Sequence, residues 1–217
     1  MEAVVHSPPD ALSRIDPDGS WAGSSVFIIG GGASLKGFNF SLLKGKNTIG
    51  INDAFRLGSD ISRVCLFGDA SWFHRVKWYL EKFQGKVASM ATSIMNLNLP
   101  WMIKLGRSKE GLGVKTAPGW NYSTGAAAIC VAFHLGVKQI YLLGFDMGLT
   151  ANRSHWHAHR SKTTSEDAFR RHLRGIHAIA DELKKHPEVK VINVTPGSRI
   201  TSDIFPWMSF TEFESAL

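Results

Sequence analysis

The stretch Ser25-Val-Phe-Ile-Ile-Gly-Gly-Gly-Ala-Ser-Leu35 decides the fold. A short run of β-branched and aromatic residues flows into a glycine triplet, as a buried strand does when it ends in a tight turn. The same design recurs along the chain. Thr48-Ile-Gly-Ile51 ends at Asn52-Asp53, Arg63-Val-Cys-Leu-Phe67 at Gly68-Asp69, and Gln139-Ile-Tyr-Leu-Leu143 at Gly144-Phe145-Asp146. Lys86–Met90 is a weaker strand candidate, and Val189–Val194 runs into Thr195-Pro196-Gly197. Most of these runs lack alternation, which suits strands buried on both faces of a parallel sheet.

Helical patterns fall between the strands. Asp69–Gln84 carries Trp72, Val76 and Leu80 at four-residue spacing. Ser123–Val137 is almost wholly apolar, so it reads as a buried helix. Residues 164–186 form the clearest amphipathic helix, with Phe169, Leu173, Ile176, Ala180 and Leu183 on one stripe and a Thr163/Glu166 capping box at its start. Strands alternating with helices predict an α/β domain with a mainly parallel sheet over residues 23–217. Residues 1–22, with Pro8-Pro9 and Pro17, read as a flexible arm. Residues 92–120 have no clear period and read as a short lid insertion beside the active face. Residues 147–163 read as a second loop.

The composition permits a single large core. The 217 residues are 44% hydrophobic and 20% charged, which excludes wholesale disorder. Cys65 and Cys130 each lie in apolar stretches and read as buried free thiols, as in a reducing cytoplasm. No CxxC pair suggests zinc. The N-terminus lacks a basic start followed by an apolar stretch, so no secretory signal is read. The longest apolar run, Ala126–Phe133, is too short to span a bilayer. A net charge of +7 points to an anionic partner without identifying it.

Ligands of open α/β sheets bind beyond the carboxyl ends of the strands. The polar and small groups there are Gly30, Gly31, Gly32 and Ser34, then Asn52 and Asp53, Gly68 and Asp69, and Asp146. Glycines let a ligand approach the backbone, whose N–H groups cradle phosphate. Ser123, Thr124 and Gly125 open the apolar helix and add a cap and an anion-binding end. Neither a P-loop nor a complete GxGxxG is present. Asn152–Lys162 is rich in histidine and cations: His155, His157, His159, Arg153, Arg160 and Lys162. Metal binding, a general base flanked by cations, and a solvated basic loop all remain open for it.

Several blocks resemble one known group of proteins. Val26–Leu35 is similar to the opening strand and glycine turn of the bacterial sialyltransferases of glycosyltransferase family 42. It is equally similar to that of the MptE-like and motility accessory proteins. Ile49-Gly-Ile-Asn52 resembles their second strand, whose Asn contacts the nucleotide. Ser123-Thr124-Gly125, the apolar helix and Gly136–Asp146 resemble the longest shared block. His155–His159 resembles a segment whose second histidine is the sialyltransferase base.

The resemblance spans about residues 25–196. It implies a Rossmann-like fold and an inverting, metal-independent transfer from a nucleotide-sugar donor to a glycan or other hydroxyl-bearing acceptor. It further implies His159 as general base, with His155 and Arg160 beside it. Those sialyltransferases hold the leaving phosphate with tyrosines. Met147–Arg153 has none, so Arg153, Arg160 or Lys162 would supply the charge.

The MptE-like alternative is a pyrophosphokinase whose magnesium would be held by Asp69 and Asp146, with Asp53 a weaker candidate. A third reading is a non-catalytic nucleotide or nucleic-acid binder using Trp72, Trp78, Trp101 and Trp120 with Arg170, Arg171 and Arg174. A transferase acting on modified DNA combines these ideas. Phe205, Trp207, Met208, Phe210 and Phe213 in the apolar tail either close the core or join a homo-oligomer.

Overall fold

The computed structural model describes residues 4–150, 152–157 and 164–217. Its main sheet takes seven strands: β1 (Ser25–Ile29), β2 (Thr48–Ile51), β3 (Val64–Phe67), β4 (Lys86–Ser89), β5 (Met102–Lys104), β8 (Gln139–Leu143) and β9 (Lys190–Asn193). Two further short strands, β6 (Gly113–Val114) and β7 (Ala117–Pro118), form an antiparallel ribbon. The helices are α1 (Ala70–Leu80), α2 (Thr124–His134), α3 (Glu166–Leu183) and α4 (Phe210–Ser215).

The sheet order is β5-β4-β3-β2-β1-β8-β9, and every pair is parallel. The chain winds outward from β1 to β5, then returns to place β8 on the other side of β1. The reversal lies between β1 and β8, where Ile29 is level with Leu143. This is a Rossmann-like α/β fold, and the crevice at the reversal is where such sheets bind ligands.

Both faces of the sheet are covered, which explains the absence of alternation. Val26 and Ile28 of β1 join a core with α2 and α3, whereas Phe27 and Ile29 join one with Tyr141, Leu143 and Phe213. Phe67, Trp72, Phe73 and Val76 fill a third, aromatic cluster beneath α1. Helix α2 is buried over nearly its whole length by the sheet and α3, as its apolar sequence requires. Cys65 and Cys130 are free and buried, and desolvation pushes both thiols well above the ordinary cysteine range.

Three expectations need correction. Residues 4–22 are not a loose arm: Ala11, Leu12, Ile15 and Trp21 are buried in the core, and Val5 pairs with Arg107. Apolar side chains spaced along that segment outweigh its prolines. The 92–120 stretch is more than a lid, because Met102–Lys104 adds a strand at the sheet edge. The cap of α3 is Ser165, whose hydroxyl accepts from the Ala168 amide at 3.3 Å. Thr163 lies outside the described residues. In the tail, Phe205 and Phe213 close the core, while Trp207 stays 52% exposed. Among the described residues, no helix is long and apolar enough to cross a membrane.

Candidate functional site

The carboxyl ends of β1, β2, β3 and β8 open into a cavity of about 330 Å³. Gly30–Gly32, Asn52, Asp53, Gly68, Asp69, Ser123–Gly125 and Asp146 all line it. The sequence placed these groups at four separate strand ends and one helix start, and the fold brings them to one wall. Ser34 belongs to the same turn and is bonded to Asp146.

The turn after β1 is clasped to the turn after β8. Asp146 is 4% exposed. One of its carboxylate oxygens accepts from the Ser34 amide at 2.9 Å and the Thr150 hydroxyl at 2.8 Å. The other accepts from the Ser34 hydroxyl at 2.5 Å. Gly32 passes so close that a Cβ there would collide with the Asp146 carboxylate. Only glycine permits this approach. Both carboxylate oxygens of Asp146 are thus engaged by protein donors.

The other two carboxylates are also engaged. Asp53, 3% exposed, accepts from the Trp72 indole at 2.9 Å and pairs with Arg56 at 3.0 Å. Asp69 caps α1, accepting from the Ser71 and Trp72 amides at 2.8 and 3.1 Å. Asn52 differs. Its backbone is left-handed at φ 50°, and its buried Oδ1 has no hydrogen-bond partner among the described residues. An orphaned buried acceptor costs free energy until a donor reaches it.

Ser123 caps α2 by accepting from the Ala126 amide at 3.0 Å. The helix therefore starts at the cavity wall with its first amides and its positive dipole end there. The preceding residues, Asn121 and Tyr122, are both left-handed, at φ 49° and 59°. Asn121 is stabilised by two hydrogen bonds with the Gly111 backbone, each 2.8 Å. Tyr122 donates to Glu110, which also pairs with Arg174 at 2.8 Å. The Tyr122 hydroxyl bond first, then Arg174, holds Glu110 below the usual carboxylate range.

The histidine segment reaches the same cavity. His155 and His157 line it, with ring centroids 5.4 Å apart. The Ser154 hydroxyl and His155 Nδ1 are hydrogen-bonded at 2.7 Å, which orients that ring. Trp156 anchors the segment: its indole donates to the Gly30 carbonyl at 3.1 Å and its amide to the Gly31 carbonyl at 3.0 Å. Arg153 is exposed and outside the cavity wall. His159, Arg160 and Lys162 lie outside the described residues.

Phe169 and His172 are wall residues that the sequence did not assign to the site, whereas Trp120, one of the four tryptophans read as able to stack a base, does line it. Phe169 and His172 are three apart on α3, so the helical period could have paired them. Among the described residues, no group of three or more His, Cys, Asp and Glu side chains is arranged to hold a metal ion.

No family model matches the chain, and no curated protein matches it. Among solved structures, the sialyltransferase CstII from Campylobacter jejuni, in complex with a substrate analogue, is similar at 15% identity and a TM-score of 0.49. The match covers 85% of this chain and 84% of that one. The fold assignment rests on strand order and register.

Proposed function

We propose that the chain is a nucleotide-sugar-dependent glycosyltransferase, and that its donor lies across the cavity at the β1–β8 reversal. One observation carries this reading. Close-approach glycines, the start of α2, an orphaned Asn52 acceptor and histidines of a separate segment all meet in one cavity. The volume suits a nucleotide that leaves its sugar near the mouth.

In this reading the Gly30–Gly32 backbone and the first amides of α2 hold phosphate. Asn52 Oδ1 accepts from a ribose hydroxyl. A histidine of the 155–159 segment takes the proton from the acceptor hydroxyl. His159 is the base assigned by the resemblance, with His155 and His157 beside it. The acceptor oxygen bonds to the anomeric carbon from the face opposite the nucleotide. The carbon–phosphate oxygen bond breaks, and its electron pair leaves with the nucleotide. Configuration inverts. Positive charge from the α2 terminus, Arg160 and Lys162 favours the departing phosphate. The magnesium-dependent alternative draws less support, because Asp53, Asp69 and Asp146 are already engaged by protein donors.

Calorimetric titration with CMP, UMP, UDP, GDP and ATP, each with and without magnesium, tests this. The expected result is metal-independent binding of at least one nucleotide, with His159→Ala binding as tightly and losing turnover of the matching nucleotide sugar by about 100-fold or more. Binding of ATP only with magnesium would replace this reading with the pyrophosphokinase. No binding at all would end both.

A further inference from the structure

The strand ends set an order along the cavity. The β1 turn and the α2 start form the phosphate end, and Asn52, one strand over, forms the ribose position. A nucleotide continuing in that direction reaches the end of β3. There the wall is Gly68 and the indole of Trp120.

Trp120 is held from two sides. A Cβ on Gly68 would run into its benzo ring, so the indole sits directly against the strand-end backbone. The Arg107 guanidinium lies 5.2 Å from the ring centroid. Arg107 is itself fixed: its backbone pairs with Val5 in both directions, at 2.6 and 2.9 Å. Arg107 does not line the cavity, whereas Trp120 does. The indole, half-buried, is therefore what this part of the wall offers a ligand, and Arg107 lies against it. A guanidinium over an indole is attracted to the ring and helps to hold it in place. A fixed aromatic ring in a cavity wall suits another flat ring stacked against it.

We propose that Trp120, held by Arg107 and seated on Gly68, is a stacking platform for the nucleobase of the donor. This rests on the nucleotide reading above and adds how the base is held. Recognition is through the face of the base, and every nucleobase has a π-face. The site therefore takes both purine and pyrimidine nucleotides, and separates all of them from the base-free sugar phosphate.

The experiment is calorimetric titration of the full chain with the 5′-monophosphates of the four ribonucleosides and with ribose 5-phosphate. Wild type, Trp120→Leu and Trp120→Phe are compared. Wild type should bind the nucleotides roughly 10- to 100-fold more tightly than ribose 5-phosphate, the range a base–aromatic stack supplies. Leu keeps bulk and apolar character without a π-face. Trp120→Leu should lose most of that advantage while binding ribose 5-phosphate as wild type does, and Trp120→Phe should keep part of it. Equal affinity of wild type for nucleotides and ribose 5-phosphate would overturn the platform and leave the nucleotide-sugar reading standing. So would a Trp120→Leu variant that binds nucleotides as tightly as wild type. Weakened ribose 5-phosphate binding in Trp120→Leu would make Trp120 a structural support and overturn its role as platform. Failure of wild type to bind any of the five would overturn the platform, and would overturn the nucleotide-sugar reading with it where UDP, GDP and ATP also fail to bind.

Discussion

The two halves of the cavity are held in place very differently. The turns after β1 and β8 are tied to each other through the sheet. Gly30 and Gly32 donate to Leu143 and Gly144 carbonyls at 2.7 and 2.9 Å, and the buried Asp146 carboxylate adds its Ser34 and Thr150 bonds. The histidine segment 152–157 hangs from that frame. Trp156 supplies two bonds to Gly30 and Gly31, its ring packs on Phe40 at 5.0 Å, and Ser154 accepts from the Thr164 amide at 3.2 Å. The first region belongs to the core and moves only if the core does. The second is an attachment that packs on the edge of that core through Trp156. On the proposed function, affinity for the nucleotide resides in the frame and the rate of transfer in the attachment.

The largest expected effect comes from breaking the frame. Gly32→Ala forces a methyl into the Asp146 carboxylate and should cost about 3 kcal/mol of stability. Chemical denaturation reads this, and nucleotide binding should disappear with it. A variant as stable as wild type would show that the clasp yields easily. A smaller effect comes from loosening the attachment. Trp156→Phe removes the indole bond to the Gly30 carbonyl and should cost about 1 kcal/mol. Turnover should fall several-fold more than nucleotide affinity. A fall of both together would erase the distinction between the halves.

The smallest effect lies outside both halves. His134, at the far end of α2, is bonded to the Leu112 carbonyl at 3.0 Å. Burial lowers its pKa from the ordinary 6.5. Its neutral form is favoured in the folded chain, so the unfolded chain binds the proton first. Stability is therefore full above about pH 6.5 and declines as pH falls from there through the folded pKa. His134→Gln should flatten that acid slope in thermal melts at pH 5 to 7 without moving any pH dependence of transfer. An unchanged slope would assign it to other groups.

Much of the frame was legible in sequence because its information is local. Val26–Ile29, Ile49–Ile51, Val64–Phe67 and Ile140–Leu143 are unbroken apolar runs that stop at glycine or a short polar side chain. The Met102–Lys104 strand was not legible, being three residues long between Pro100-Trp101 and Gly106. Ala11, Leu12, Ile15 and Trp21 were hidden among prolines. At the site, the residue types at the strand ends could be read, but their engagements could not. Ser34 meets Asp146 from 112 positions away, and Trp72 meets Asp53 from 19. No periodicity encodes those pairings. Trp120 is followed by two left-handed residues in the turn before α2, a conformation the letters Asn-Tyr do not announce.

The position of β1 has a consequence for how the chain comes to be folded. One neighbour, β2, ends at residue 51, but the other, β8, is not complete until residue 143. As the protein is synthesised, β1 can pair on its first side early, while its second edge stays bare through the production of about half the chain. Contacts this distant in sequence close slowly, and a bare apolar edge is an invitation to aggregate. The crevice at the reversal is thus among the last parts of the sheet to exist. A chain interrupted before residue 139 carries every glycine of the first turn and has nowhere to put a ligand.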